Sequence, residues 1–215
     1  TFEMAYTADD VVRIHKAGRI ASLVGIEGGH QIGDSLPVLR QLYAAGARYM
    51  TLTHALNTRW ADSATANPQH GGLKPFGEQV VREMNRLGMR VDLSHVSDET
   101  MKDALRVTEA PVIFSHSSAR GVTDHPRNVP DSILRRLPQN GGVVMITFVP
   151  QFVNRAVSDH GDRARQEQVR LAQRHGTDTA SVRRGMEAWQ QANPAPRATM
   201  ADVIAHIEHV RQVAG

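Results

Sequence analysis

The sequence predicts an α/β protein forming part of a (β/α)8 barrel, and three observations lead there. Apolar runs of strand length alternate with amphipathic stretches of helix length, the signature of a parallel sheet with helical crossovers. Four of those runs lead straight into an ionisable residue: Ile20–Ile26 into Glu27, Tyr49–Thr53 into His54, Val91–Ser94 into His95 and Val112–Ser115 into His116. In a parallel barrel all strand C-termini open on one face, where side chains from different strands converge. Finally, 215 residues fall short of the roughly 250 that a complete barrel requires. The chain opens on Thr1 and closes on Val213-Ala214-Gly215, which reads as a strand about to begin. An excerpt lacking the first and last strands is therefore expected.

Thr7-Ala8-Asp9-Asp10 reads as a capping box with Asp in the place of Glu or Gln, opening a short helix that buries Val11, Val12 and Ile14 and stops at Gly18. Ile20–Ile26 is the first strand, apolar enough for burial on both faces. Asp34 or Ser35 caps the next helix, which ends at Gly46. After the strand Tyr49–Thr53 comes a polar loop from His54 to Lys74, long enough to be functional or mobile. Pro75 starts a helix closed by Gly88. Strand Met89–Leu93, helix Asp98–Val107, strand Pro111–Phe114, loop Ser115–Pro130, helix Asp131–Leu137 and strand Val143–Phe148 follow. From Pro150 to Arg197 the chain turns rich in Arg, Gln and Ala and reads as two polar-faced helices inserted into one barrel domain. Thr199 or Asp202 opens a last helix.

Composition excludes several classes. An apolar content of 40% supports a sizeable core, and a net charge of +3 is spread without a basic stripe, so no nucleic acid partner is expected. With zero cysteines there is no disulfide, thiolate metal site or Cys nucleophile. That fits a reducing cytoplasm, and equally a cysteine-free periplasmic protein. No apolar run reaches the roughly 18 residues of a membrane helix.

The chemistry sits at the strand ends. Glu27, followed by two glycines, could bridge cations; by itself it reads equally as a capping or salt-bridging residue. His95 and His116, 21 residues apart on successive units, suit a divalent metal that takes nitrogen and carboxylate ligands. Asp92 is either a residue orienting a metal ligand or a buried structural carboxylate. His54 could be a ligand, a general base or a donor to a developing oxyanion. Arg127 could clamp a substrate carboxylate in bidentate fashion or be a solvated loop arginine. His206 and His209 share a helix face but have no carboxylate companion, and no chemistry is assigned to them.

Together, Gly25-Ile26-Glu27-Gly28-Gly29-His30, Leu52-Thr53-His54, Asp92-Leu93-Ser94-His95-Val96-Ser97, Phe114-Ser115-His116-Ser117-Ser118 and Arg127-Asn128-Val129-Pro130 resemble the membrane (renal) dipeptidase family, peptidase family M19. Trp60-Ala61-Asp62, Pro75-Phe76-Gly77 and His206-Ile207-Glu208-His209 also fit. The resemblance covers nearly the whole chain and is loosest over the insert. It implies a bacterial member with an amidohydrolase-type barrel and a binuclear Zn2+ centre hydrolysing dipeptides. It places Glu27 as the carboxylate bridging the metals, with a catalytic role, and His95 and His116 as imidazole ligands. His54 is implied in substrate binding and catalysis, and Arg127 in substrate binding. The implied partner is a small dipeptide, with a homodimer left open. A His-x-Asp pair expected before Thr1 and an Asp-Phe-Asp-Gly segment expected after Gly215 would complete the site. Two other functions remain open: another amidohydrolase-type amide or lactone hydrolase, and a non-catalytic homologue that binds metal or ligand.

Overall fold

The computed structural model describes residues 1–215. The chain folds as two compact units, the first made of Thr1–His116 and Ser132–Met145, the second of Ser117–Asp131 and Ile146–Val213.

In the first unit β1 (Phe2–Met4), α1 (Ala8–Lys16) and β2 (Ile20–Ser22) come first. The capping box of α1 forms as expected: Asp10 N–H donates to Thr7 Oγ1 and Thr7 N–H to the Asp10 carboxylate. β3 (Val24–Ile26), α2 (Leu36–Ala44), β4 (Ala47–Thr51), α3 (Pro75–Leu87), β5 (Arg90–Asp92), α4 (Asp98–Val107), β6 (Ile113–Ser117), α5 (Asp131–Leu134), α6 (Leu137–Asn140) and β7 (Val143–Ile146) follow. The sheet order is β3-β4-β5-β6-β7, the order of the sequence, and β3 through β6 pair in parallel. Of the two candidate caps on α2, Ser35 takes the position, its hydroxyl accepting from Val38 N–H.

The pleat sorts the strand side chains into two sets. Met50 and Leu52, Val91 and Leu93, and Val112 and Phe114 are buried with Leu39, Val80, Val81, Met84, Met101 and Ala104 of the helices. Their neighbours Tyr49, Thr51, Asp92 and Ser115 line a cavity of about 300 Å3 together with Gly25, Ile26, Glu27 and His116. A period of two thus places a dry apolar set and a polar set on opposite faces of the same strands.

Several expectations need correction. Ile20–Ile26 is two strands, because at Leu23 the chain changes partner: β2 pairs with β1 in a separate two-stranded sheet, and β3 pairs with β4. Neither is buried on both faces, and Val24 remains 43% exposed. The strand Phe2–Met4 was not expected at all. The helix over Asp131–Leu137 is broken into α5 and α6, with Pro138, which has no amide hydrogen to continue a helix, in the first turn of α6. Val213 and Ala214 end a helix and do not begin a strand.

The second unit holds α7 (Pro150–Val153), α8 (Arg155–His175), α9 (Thr179–Ala192) and α10 (Met200–Ala214). The expected pair of inserted helices is preceded by the short α7. A Cβ on Gly185 of α9 would lie 2.7 Å from a Leu171 methyl of α8, so the two helices approach closely at a residue without a side chain. Val153, Val157, Leu171, Val203 and His206 are buried. No helix is long and apolar enough to cross a membrane.

Glu83 on α3, 8% exposed, accepts from Arg86 at 2.7 and 2.8 Å and from Arg40 at 2.6 Å. The Arg86 hydrogen bonds, opposed by burial and helped by Arg40, hold its carboxyl down at about 2. A carboxylate with a lowered folded pKa stabilises the fold above its unfolded value of 4.5, and that contribution disappears as pH falls towards 2. Glu83→Gln should therefore lower stability at neutral pH by about 1–2 kcal/mol, given the exposed arginine partners. Urea unfolding should show the gap from the native protein closing below pH 4.5.

Candidate metal centre

Glu27 follows β3 directly, and the close approach of the chain there requires glycine on both sides. A Cβ on Gly25 would run into the Tyr49 ring, and Gly28 has φ 114°, a conformation that L side chains rarely adopt. His116 lies inside β6, one residue before its end, where the sequence reading had placed it one residue after, while His95 sits three residues beyond β5. His95 has φ 73°, left-handed for a residue with a side chain. Two hydrogen bonds to its carbonyl hold that conformation, from Ala64 N–H at 2.7 Å and Thr53 Oγ1 at 3.1 Å. Such a backbone persists where surrounding contacts over-determine it, typically at functional positions.

The three side chains meet. His95 Nε2 lies 3.1 Å from Glu27 Oε1 and 2.8 Å from His116 Nε2, and His116 Nε2 lies 3.3 Å from Glu27 Oε1. Tetrahedral zinc with bonds of about 2.0–2.1 Å separates its ligand atoms by about 3.3–3.4 Å. A carboxylate oxygen and two imidazole nitrogens crowded to nearly that spacing fit a single divalent cation. His54 stands beside the group, its Nε2 3.8 Å from Glu27 Oε1 and its ring 4.5 Å from that of His95. It is half exposed.

The polar wall below the cluster is organised by Asp92, which is fully buried. Its Oδ1 accepts from Ser94 N–H at 2.9 Å and Ser115 N–H at 3.1 Å, and its Oδ2 accepts from the Ser115 hydroxyl. Ser115 Oγ lies 2.7 Å from His116 Nδ1. Asp92 thus reaches a member of the cluster by way of a serine that sequence reading passed over. The missed signal was the serine preceding His116 inside a buried strand. Tyr49 lines the same cavity, and burial, then the charges of Asp92 and Glu27, push its phenol up.

The His54–Lys74 loop is tied to this scaffold by Asp62. Burial pushes its carboxyl up, but backbone N–H groups of Gln69, His70, Gly72 and Gly71 outweigh that and hold it low. Ser63 Oγ donates to the His54 carbonyl at 2.7 Å, and Thr100 Oγ1 donates to that of Asp62 at 3.0 Å. Asp34, the other candidate cap, adopts φ 55° and accepts from Trp60 Nε1 at 3.1 Å.

Arg127 belongs to the second unit. It is 7% exposed, not a solvated loop residue, and its guanidinium lies 5.2 Å from the Phe152 ring centre. Next to it, Asn128 donates to the carbonyls of Thr123 and Phe152 and accepts from Ser118 N–H. His206, fully buried, accepts from Ala119 N–H at Nδ1 (2.9 Å), so Nε2 carries the proton and donates to the Val153 carbonyl at 3.2 Å. His209 meets Asp131 at 2.8 Å, a carboxylate companion that sequence reading had not found.

The whole chain, residues 1–215, matches the family model described as membrane dipeptidase, peptidase family M19. The protein belongs to peptidase family M19. It is 57% identical over 154 residues to dipeptidase tcpJ of Claviceps purpurea, covering 71% of this chain and 36% of that protein. To dipeptidase verJ of Clonostachys rogersoniana it is 50% identical over 177 residues, covering 77% of this chain and 46% of that protein. The probable dipeptidase PvdM of Pseudomonas aeruginosa shares the fold at TM-score 0.84 and 23% identity, over 100% of this chain and 60% of its own. A Rhodobacter sphaeroides metallopeptidase solved with a phosphinate mimic of L-Ala-D-Ala does so at TM-score 0.76 and 24% identity, over 100% and 52%. The chain thus spans less than half the length of these two sequence relatives and just over half that of the solved structures. The sequence relatives are fungal and the solved structures bacterial, so these matches do not carry the expectation of a bacterial source.

Burial pushes the His206 imidazole below its usual 6.5. The unfolded chain then binds the extra proton first, so stability is complete above pH 6.5 and is lost as pH falls below it. Hydrogen exchange at the Ala119 amide should accelerate over that range, and His206→Gln should flatten the dependence.

Proposed function

We propose that the full-length protein is a zinc-dependent dipeptidase. The convergence of Glu27 Oε1, His95 Nε2 and His116 Nε2 within 2.8–3.3 Å carries this reading. Those three side chains would hold the metal, with Glu27 as the carboxylate shared by a second zinc, as the family resemblance implies. Bound zinc supplies Lewis acidity, polarising a carbonyl and making water acidic enough to ionise near neutral pH.

The remaining work falls to the chain's own groups. His54, beside Glu27 and accessible to solvent, is placed to donate a hydrogen bond to oxygen that gains charge as the peptide carbonyl is attacked. Arg127 is assigned the free C-terminal carboxylate of the substrate, the role its motif carries in the family. Its planar fork suits a bidentate carboxylate, and the buried guanidinium lies over the Phe152 ring. Binding a free terminus orients the adjacent peptide bond and favours dipeptides over longer chains.

Two measurements test this proposal. Glu27→Gln in the full-length protein should remove most of the bound zinc, read by elemental analysis, and most dipeptide hydrolysis; full activity with metal retained would refute it. Arg127→Lys should leave zinc content unchanged and raise KM for dipeptides by roughly 10- to 100-fold, the worth of a charge-assisted bidentate contact. An unchanged KM would remove Arg127 from the substrate site.

A further inference from the structure

We infer that Asp92, acting through Ser115, sets the tautomer of His116 so that Nε2 presents a lone pair to the metal. The inference rests on the metal reading of the cluster and adds a positioning device to it. It follows from counting protons along one chain of contacts.

Asp92 is a carboxylate with acceptors only. Its Oδ1 is taken by the amides of Ser94 and Ser115, at 2.9 and 3.1 Å, so Oδ2 is the oxygen facing the Ser115 hydroxyl. A hydroxyl has one proton, and here it goes to Asp92 Oδ2. Towards His116 the same oxygen can then only accept, and at 2.7 Å from Nδ1 it accepts the Nδ1 proton. A neutral imidazole protonated at Nδ1 is unprotonated at Nε2. Nε2 is the atom that faces His95 Nε2 at 2.8 Å and Glu27 Oε1 at 3.3 Å. Each contact forces the polarity of the next, from two backbone amides to the lone pair offered to a cation.

The direction also depends on the strand. Asp92 sits on β5 and Ser115 and His116 on β6, with Asp92 paired to Ile113 in parallel register. Ser115 is thus two residues further along β6, on the same face as Ile113 and two residues past the level of the end of β5. The serine holds both ends of the relay only at that register. Asp92 is accordingly a positioning residue for His116, whereas its position three residues before His95 had linked it to no particular ligand.

The decisive variant is Asp92→Asn, which keeps shape and reverses polarity. The two backbone amides would keep the amide oxygen, turning the NH2 group towards Ser115. Ser115 would then accept from Asn and donate to His116 Nδ1, moving the imidazole proton to Nε2 and blocking the metal. A change of tautomer without a change of shape is the logic by which such a substitution disables other histidines. Long-range proton–nitrogen spectra of 15N-histidine-labelled, metal-free, full-length protein at mildly alkaline pH should show His116 protonated at Nδ1. In Asp92→Asn they should show it protonated at Nε2. Zinc affinity should fall about 10- to 100-fold in Asp92→Asn, the range for loss of a partner behind a metal ligand. It should fall less in Ser115→Ala and stay near native in Ser115→Thr, which restores the hydroxyl.

An Nε2-protonated His116 in the native protein overturns the relay without need of any variant. So does equal zinc affinity in native protein and Asp92→Asn. A native protein that shows the Nδ1 tautomer yet binds no zinc would uphold the relay and end the metal reading, so the two claims fail separately.

Discussion

The two-residue period of the strands is the constraint on which the site depends. Along β4, β5 and β6 every second side chain packs with the helices, and the residues between them are released to face the cavity. Met50, Val91 and Phe114 supply the burial that holds the sheet, while Thr51, Asp92 and Ser115 bring polar atoms into its interior. Parallel pairing then aligns these polar positions across strands, so that Thr51 lies opposite Asp92 and Asp92 opposite Ile113, two residues short of Ser115. A slip of one residue would exchange the two sets and bury the ionisable groups against the helices.

Rigidity at the strand ends comes from backbone carbonyls held by side-chain hydroxyls and neighbouring amides. The carbonyl of His95 is held by Thr53 and Ala64, that of His54 by Ser63 and that of Asp62 by Thr100. These bonds allow His95 to occupy a left-handed backbone and bring its imidazole to Glu27 and His116. The same economy recurs in the second unit, where Asn128 and His206 satisfy buried backbone groups on the segment that carries Arg127. A buried neutral imidazole is well suited to this role, since it offers one acceptor and one donor in fixed directions.

Within peptidase family M19 the cluster has a clear chemical reading. Without thiolates, a zinc site must be assembled from imidazole and carboxylate, and these ligands bind well only when each is held in the right protonation state. The Ser115 hydroxyl meets that requirement for His116 over a contact of 2.7 Å. In the proposed metal centre the wall behind the cluster would contribute to binding without touching the metal.

Much was legible in the order of residues alone. Alternation of apolar and amphipathic stretches located the strands of the parallel sheet and the helices α2 to α4, and Ser and Thr residues marked helix starts at Thr7 and Ser35, whose side chains accept free amides of a first turn, and at Thr199, whose amide and hydroxyl donate to Asp202. Glu27, His95 and His116 stood out because each follows or ends an apolar run. Less legible were features that depend on partners distant in the chain. Ile20–Ile26 is uniformly apolar, and only pairing with β1 on one side and β4 on the other divides it at Leu23. His209 gained its carboxylate, Asp131, from 78 residues away. The chain itself determined which residues could ligate a metal and where strands and helices would form, since those follow from side-chain type and local period. Which nitrogen of His116 meets Glu27 and His95, and which carboxylate stands behind its ring, was decided only by the register of β5 against β6, because hydrogen-bond polarity belongs to atoms brought together in space.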